Sequence, residues 1–459
     1  MEKTLTGKAM FIYCLGDFAR AIFNGLTATY LMYIFLPQAN SALPLLLPYG
    51  ALSFAIVRFI GVIFDAVIDP LIASKSDNSK HPLGARIPFM RYSAIPMGLF
   101  AVLMIYVPIG HESWINVAWL FVNLLLFNLF SSLFLVPFYG LMAELVTDTK
   151  RRVYFFTINT LLFVIGSAVI YVTPIIKNAL VSAGYPELTA WRSAFLVFGV
   201  LGAASAFVSS FSIKESDYVK RTPSYVPLWE SLKATFRYKD FTILVVGYMF
   251  MWIAFSFFNS SLMYYVTMLL GLKDNFAVVV MAIAIVVGIS TYPLVNSLAK
   301  KIGKKPLLIG ACISYIVIYT GIFFYQFFVG MVGNAVTGIL IGALIGFPIS
   351  ITNIIPLAAF ADLAQYDTIK TGRYQSGMFV GSRNLLQQLA QAIALLIVPL
   401  TITGSVLEGN ANIAGVRMTT LIAAGTIAVA FAFYLFYNDK KITKTIDDYN
   451  ALHVGDEQV

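Results

Sequence analysis

About a dozen apolar runs, each long enough to cross a bilayer as a helix, leave this chain little choice of fold. They lie near residues 9–36, 45–74, 88–108, 113–146, 153–176, 190–213, 241–270, 275–299, 306–326, 330–360, 375–403 and 412–437. About 20 apolar residues at 1.5 Å per residue cross the roughly 30 Å hydrocarbon core. That core holds no water to satisfy a backbone, so each run must close its own hydrogen bonds as a helix. Hydrophobic residues make up 59% of the 459 and charged ones 12%, where soluble domains carry about 25% charged residues. The expected fold class is therefore all-α: a polytopic membrane protein with twelve transmembrane helices, numbered here as spans one to twelve.

Charge sets the orientation of these spans. Lys3 and Lys8 precede span one; Lys75, Lys80, Arg86 and Arg91 follow span two; Lys150, Arg151 and Arg152 follow span four. The segment 214–240, residues 300–305, Lys370 with Arg373, and the tail are also basic. The alternate loops hold only Lys177, Arg192, Lys273 and Arg417. Basic loops stay in the cytoplasm, so both termini are expected there, in a multi-pass protein of the cell membrane. The net charge of +9 is thereby explained without a nucleic-acid partner.

The longest polar break divides the chain into an N-terminal six-helix bundle (1–213), a central cytoplasmic loop (214–240), a C-terminal six-helix bundle (241–437) and a cytoplasmic tail (438–459). The halves echo one another. Span four ends Ala143-Glu144-Leu145 and span ten ends Ala361-Asp362-Leu363; the loop holding Gly84 and Arg86 is matched by Gly303 with Lys304 and Lys305. Two pseudo-symmetric bundles around a cytoplasmic loop are the pattern of a two-bundle transporter. In the tail, Ile442, Ile446, Tyr449 and Leu452 share one face of a short helix, which is expected to dock.

Several chemistries are not encoded. Cys14 and Cys312 lie in apolar runs, which gives no disulfide framework. His81, His111 and His453 fall in loops or the tail, with no metal-ligand spacing. No Gly-rich phosphate loop is present, and no nucleophile sits beside a base as an enzyme would need. Neither a metal nor a cofactor is expected beyond a coupling ion, H+ or Na+.

The polar residues inside the spans carry the chemistry. Span two holds Arg58, Asp65 and Asp69. The two acids are one turn apart on one helix face, with Arg58 about two turns away. Each such charge costs roughly 2.5–3.5 kcal/mol at the centre of a bilayer. Two carboxylates this close cannot both be charged cheaply, and a proton or a cation relieves them. Span one carries Asp17, Arg20 and Asn24 on one face, span five carries Asn159, and span eleven carries Arg383, Asn384, Gln387, Gln388 and Gln391. Such groups must face a protein interior or a watery cavity. They suit a polyhydroxylated or anionic solute, for which Tyr139 and Trp252 supply rings for stacking. Arg383 has no acid at i±3 or i±4, so its counter-charge lies on another helix or on the solute. At the cytoplasmic helix ends, Arg86, Arg91, Glu144, Asp148, Asp362 and Arg373 are placed to latch the bundles as a gate.

Asp65-Ala-Val-Ile-Asp69-Pro70 with Gly84, Arg86 and Pro88, Gly16-Asp17-Phe18, Val136-Pro137-Phe138-Tyr139 and Ala361-Asp362-Leu363 together resemble the glycoside–pentoside–hexuronide:cation symporters. These are the melibiose-carrier branch of the major facilitator superfamily. The resemblance spans the chain. It implies cation-coupled symport of a sugar, glycoside or hexuronide by alternating access. It further implies a cation site at Asp65 and Asp69 helped by the Ser132 hydroxyl, and sugar contacts at Asp17, Tyr139, Asn159 and Gln387. Departures from the melibiose carriers fall at Leu135, where they have an acid, at Asn159 and Gln387, where they have basic residues, and at Ile68, where they have an amide. Few oxygens surround the acid pair, which favours protons over sodium. The expected partners are a small sugar or sugar acid, a coupling cation and the bilayer, with the protein a monomer. The alternative on the same fold is a lipid or lysolipid transporter.

Overall fold

The computed structural model describes residues 5–39, 41–79, 81–146, 149–218, 239–371, 376–404 and 409–453. Most of the expected central loop, Asp148 and Arg373 lie outside the described residues. The first half comprises α1 (Gly7–Gly25), a π-helical turn (Leu26–Tyr30), α2 (Leu31–Phe35), α3 (Gly50–Asp77), α4 (Ile87–Leu103), α5 (Trp114–Glu144), α6 (Thr149–Ile170), α7 (Thr173–Ser182) and α8 (Glu187–Ser210). The second half comprises α9 (Lys239–Tyr264), a second π-helical turn (Tyr265–Leu269), α10 (Phe276–Ile302), α11 (Lys304–Phe323), α12 (Tyr325–Val332), α13 (Asn334–Thr371), α14 (Ser376–Thr403), α15 (Ile413–Phe436) and α16 (Asp439–His453). Among the described residues, ten helical stretches are long and apolar enough to cross a membrane. The interrupted α1–α2 rod and the shorter α4 lie where expected spans one and three fall.

The helices group into two compact units. One is Met1–Tyr225 with Asn259–Val278 and Leu395–Val416; the other is Val226–Phe258, Val279–Ala394 and Arg417–Val459. In the first unit α1 packs on α6 and α8, α3 on α5, and α4 on α5 and α8. Lipid tails are as apolar as leucine, so close packing and buried hydrogen bonds must select these contacts. Tyr13 shows how: its ring stacks on Phe138 at 4.7 Å, and its hydroxyl donates to the Phe138 carbonyl at 2.7 Å. In the second unit α11 packs on α13, and the Tyr319 hydroxyl donates to the Ala254 carbonyl at 2.9 Å. The tail forms α16, which lies on α13 with Ile442 and Ile446 buried; of the expected face, Tyr449 is exposed.

The echo between the halves is structural. After α8, Glu215 Oε2 accepts the N–H groups of Arg86 (2.8 Å) and Ile87 (3.1 Å), capping the start of α4. After α15, Asp439 Oδ2 accepts those of Lys304 (2.7 Å) and Lys305 (3.3 Å), capping the start of α11. An anion at a helix N-terminus satisfies orphan N–H groups and opposes the helix dipole. The glycine before each cap is left-handed, Gly84 at φ +114° and Gly303 at φ +84°. A Cβ on Gly84 would lie 2.3 Å from Glu215 Oε2, and one on Gly303 would lie 3.0 Å from Asp439 Oδ2. Gly84→Ala should therefore destabilise the protein by roughly 1–3 kcal/mol from backbone strain and displacement of the cap, and more than Gly303→Ala does. Thermal unfolding of the two variants in detergent checks the order; equal midpoints would show that the cap does not depend on this approach.

Candidate functional site

Basic residues two places past each glycine, or beside it, join the ends of the helices on the side of the basic loops. Arg86 pairs with Asp77 (2.8 Å) and Glu144 (2.9 Å), tying the end of α3 to that of α5. Lys304 pairs with Asp362 on α13. Arg91 donates to the Ser210 carbonyl at 3.2 Å and stacks over Phe211. Each of these contacts joins helices of one unit. The partner of Asp362, Lys304, went unrecognised in the sequence because it is one of four lysines in 300–305.

Span two is α3. Arg58 is 6% exposed, while Asp65 and Asp69 are half-buried. Among the described residues Asp65 Oδ1 has no hydrogen-bond partner, the Nε of Arg58 has none, and no ion pair joins them. Arg58 therefore does not consume the acid pair by direct contact. Among the described residues no third His, Cys, Asp or Glu joins a cluster that could hold a metal. Two further oxygens lie on the same pair of helices. Pro70 has no N–H, so the Ala66 carbonyl between the two acids lacks its usual helical donor. On α5, Asn128 donates to the Gly61 carbonyl of α3 at 2.8 Å. Ser132, buried and one turn further along α5, continues the same helix face beside α3.

The groups on α1, α5 and α6 converge on Asp17, which is 2% exposed. Its Oδ1 accepts the Tyr139 hydroxyl at 2.5 Å and pairs with Arg20, and its Oδ2 accepts the Asn159 amide at 2.7 Å. A carboxylate with three donors is well compensated in a low-dielectric setting. The guanidinium of Arg20 also lies 4.1 Å from the centre of the Phe163 ring. That ring was not singled out by the sequence, where it is one of 38 phenylalanines. Arg20 and Tyr139 remain partly accessible, at 27% for the Arg20 side chain and 38% for Tyr139. Asn24 is exposed and stands outside this cluster; its carbonyl only accepts from Thr27.

In the second unit, α9 and α14 form a polar patch. The buried Tyr248 hydroxyl donates to Gln387 Oε1 at 3.0 Å, and its ring meets Trp252 edge-on at 6.0 Å. Arg383 is half-buried and donates to Asn384 Oδ1 at 2.7 Å from Nη2 and 3.3 Å from Nε. Among the described residues it forms no ion pair. Gln391 is exposed. Tyr248 was missed; its signal is a position one turn before Trp252 on the same face.

Comparison with known proteins accords with this architecture. The model of the family described as MFS/sugar transport protein matches residues 12–438. Lactose permease of Leuconostoc lactis is 25% identical over 463 residues, covering 95% of this chain and 70% of that protein. The glucuronide carrier protein homolog of Escherichia coli (strain K12) is 23% identical over 467 residues, covering 97% and 96%. The solved D-xylose-proton symporter is 15% identical with a TM-score of 0.62, covering 95% of this chain and 97% of that one, which is a likeness of fold. With a family model matched from span one to the end of span twelve, the chain belongs to the MFS/sugar transport family, and it is a multi-pass membrane transporter of the glycoside–pentoside–hexuronide:cation symporter kind and not an enzyme.

Proposed function

We propose that this transporter carries a sugar acid, a hexuronide or its glycoside, by symport with a cation across the cell membrane, both termini being cytoplasmic. The observation that supports it is an imbalance between two guanidinium groups. Arg20 is neutralised by Asp17. Among the described residues Arg383 has only the neutral Asn384 as a hydrogen-bond partner, and Tyr248 and Gln387 stand nearby on α9 and α14. A half-buried guanidinium without an acid is costly, and a solute carboxylate would fit its planar fork with two parallel bonds. In the first unit, sugar hydroxyls would be met by Arg20, Tyr139 and Asn159, with the Tyr139 ring for stacking; in the second unit, Gln387 and Trp252 offer the same chemistry. Asp65 and Asp69, with the Ser132 hydroxyl, would bind the coupling ion. The glucuronide carrier among the relatives is in keeping with an acidic solute.

Uptake into proteoliposomes of a glucuronide, the matching neutral glucoside and a lysolipid tests the proposal. Wild type is expected to prefer the glucuronide. Hydrogen bonds to charged groups are worth about 1.5–3 kcal/mol, so Arg383→Gln should lower glucuronide uptake roughly ten- to a hundredfold and glucoside uptake little. Preference of the wild type for the neutral sugar or the lysolipid overturns the assignment of the solute. Equal loss of both sugars in the variant makes Arg383 structural.

A further inference from the structure

The end of the first unit remote from the basic loops is built unlike the rest of the molecule. Both π-helical turns lie there, Leu26–Tyr30 in span one and Tyr265–Leu269 in span seven. These two spans occupy equivalent places in the repeat. A π turn inserts a residue into the helical ladder, bends the rod locally and is concentrated at working parts of proteins. The two segments beside these turns are bonded to each other. The Tyr264 hydroxyl donates to the carbonyls of Met32 (3.2 Å) and Leu36 (2.7 Å). The rings of Tyr33 and Tyr264 lie 5.4 Å apart. The Gln38 amide donates to Thr267 Oγ1 (2.5 Å) and to the Tyr33 hydroxyl (3.1 Å).

Beside this seam sits a buried ion cluster. Lys177 of α7 pairs with Asp274 at 2.5 Å and Glu187 at 3.5 Å, with side-chain exposures of 7%, 8% and 19%. Asn178 donates to Asp274 Oδ1 at 2.6 Å. Residues 239–258 of the seventh span belong to the second unit, yet residues 259–278, Asp274 included, belong to the first. The energetics of such a cluster suit a seam that opens. Taking both charges out of water costs nearly what their attraction returns, so opening to water is close to balanced. Removing one partner is different, because the other charge is stranded when the seam closes.

We infer that Lys177 and Asp274 form a latch closing the non-cytoplasmic end of the transporter, with Tyr264 and Gln38 as its hydrogen-bonded seam and the paired π turns as its hinges. The inference rests on the transport reading but not on the identity of the solute. Substrate reaches the site from outside when the latch releases. Lys177, Asp274 and Tyr264 act on the cycle by positioning spans one and seven, without touching solute.

The test uses the purified full chain in detergent, where both faces are accessible, with Cys14 and Cys312 replaced and a reporter cysteine at Thr29, which lies buried in the first π turn. The probe is a polar maleimide and the readout is its labelling rate. Asp274→Asn and Lys177→Met should each speed labelling at least tenfold. Tyr264→Phe, which removes two hydrogen bonds and little volume, should speed labelling severalfold and serves if the charge variants do not fold. Unchanged labelling in Asp274→Asn, or in Tyr264→Phe where the charge variants do not fold, overturns the latch. No sugar is present, so failure here is separate from failure of the glucuronide assay.

Discussion

Asp65→Asn and Asp69→Asn should each reduce uphill accumulation of solute at least a hundredfold while leaving downhill exchange measurable. The argument is electrostatic. Side chains one helical turn apart are about 6 Å from each other. Two like charges at that distance repel by roughly 3 kcal/mol at an effective dielectric constant of 20. A bound proton or cation removes that repulsion, and an amide in place of either acid removes both the repulsion and the charge that the ion compensates. A change of about 3 kcal/mol is more than a hundredfold in ion occupancy. Downhill exchange does not need the ion gradient, and the groups around Asp17 are on other helices, so the solute site should survive. The measurement is accumulation ratio beside equilibrium exchange of the same labelled solute. Full accumulation in both variants would sink the ion-site assignment. The same vesicles settle the ion: uptake that follows sodium at fixed pH and membrane potential would assign sodium, and uptake indifferent to sodium would leave the proton.

The second large effect is expected at Asp17. Asp17→Asn should lower uptake about a hundredfold or more, although this side chain itself is almost inaccessible. It holds Arg20, Tyr139 and Asn159 together. Breaking a buried ion pair by removing one partner costs about 3–5 kcal/mol, mostly because the remaining charge is stranded. Here the stranded group is Arg20, which would turn from the Phe163 face and take the Tyr139 hydroxyl with it. The double variant Asp17→Asn with Arg20→Gln removes the stranded charge. It should therefore fold better than the single variant, and its stability in detergent should exceed that of Asp17→Asn by more than about 1 kcal/mol. A single variant that transports like wild type would show that the cluster does not shape the site. Arg20→Lys gives a further check: it keeps the charge but loses the flat stack on Phe163, and should not substitute fully.

Span two and the first span were legible because charge inside an apolar run is expensive, so Asp65, Asp69, Asp17 and Arg20 stood out against their neighbours. Helical spacing correctly put Asp17 and Arg20 together. The same spacing also included Asn24 and Gln391, which the structure leaves exposed. Periodicity names a face of a helix but not how far along that face the neighbours reach, and Asn24 comes just before the first π turn, where the face rotates. The turns themselves leave no trace in hydropathy, since an added residue in an apolar run is one more apolar residue. Tyr248 was hidden among 25 tyrosines. Glu215 and Asp439 were hidden differently. Each sits in a polar stretch where an acid is ordinary, and its worth as a cap depends on a helix start more than a hundred residues away.

That last separation bears on how the protein is made. The bond from Arg86 to Glu215 spans 129 residues and the bond from Lys304 to Asp439 spans 135. In each half the acid that seats the third span arrives only after the sixth has been translated. At 5–20 residues per second, the N-terminus of the third helix waits on the order of ten seconds for its anion. During that interval its first N–H groups must be satisfied by water or lipid headgroups at the membrane surface. Each half is thus fastened at the start of its third span by an acid that follows its sixth. Truncating the nascent chain on either side of Glu215 would reveal this as a sharp gain in protease resistance of the first six spans.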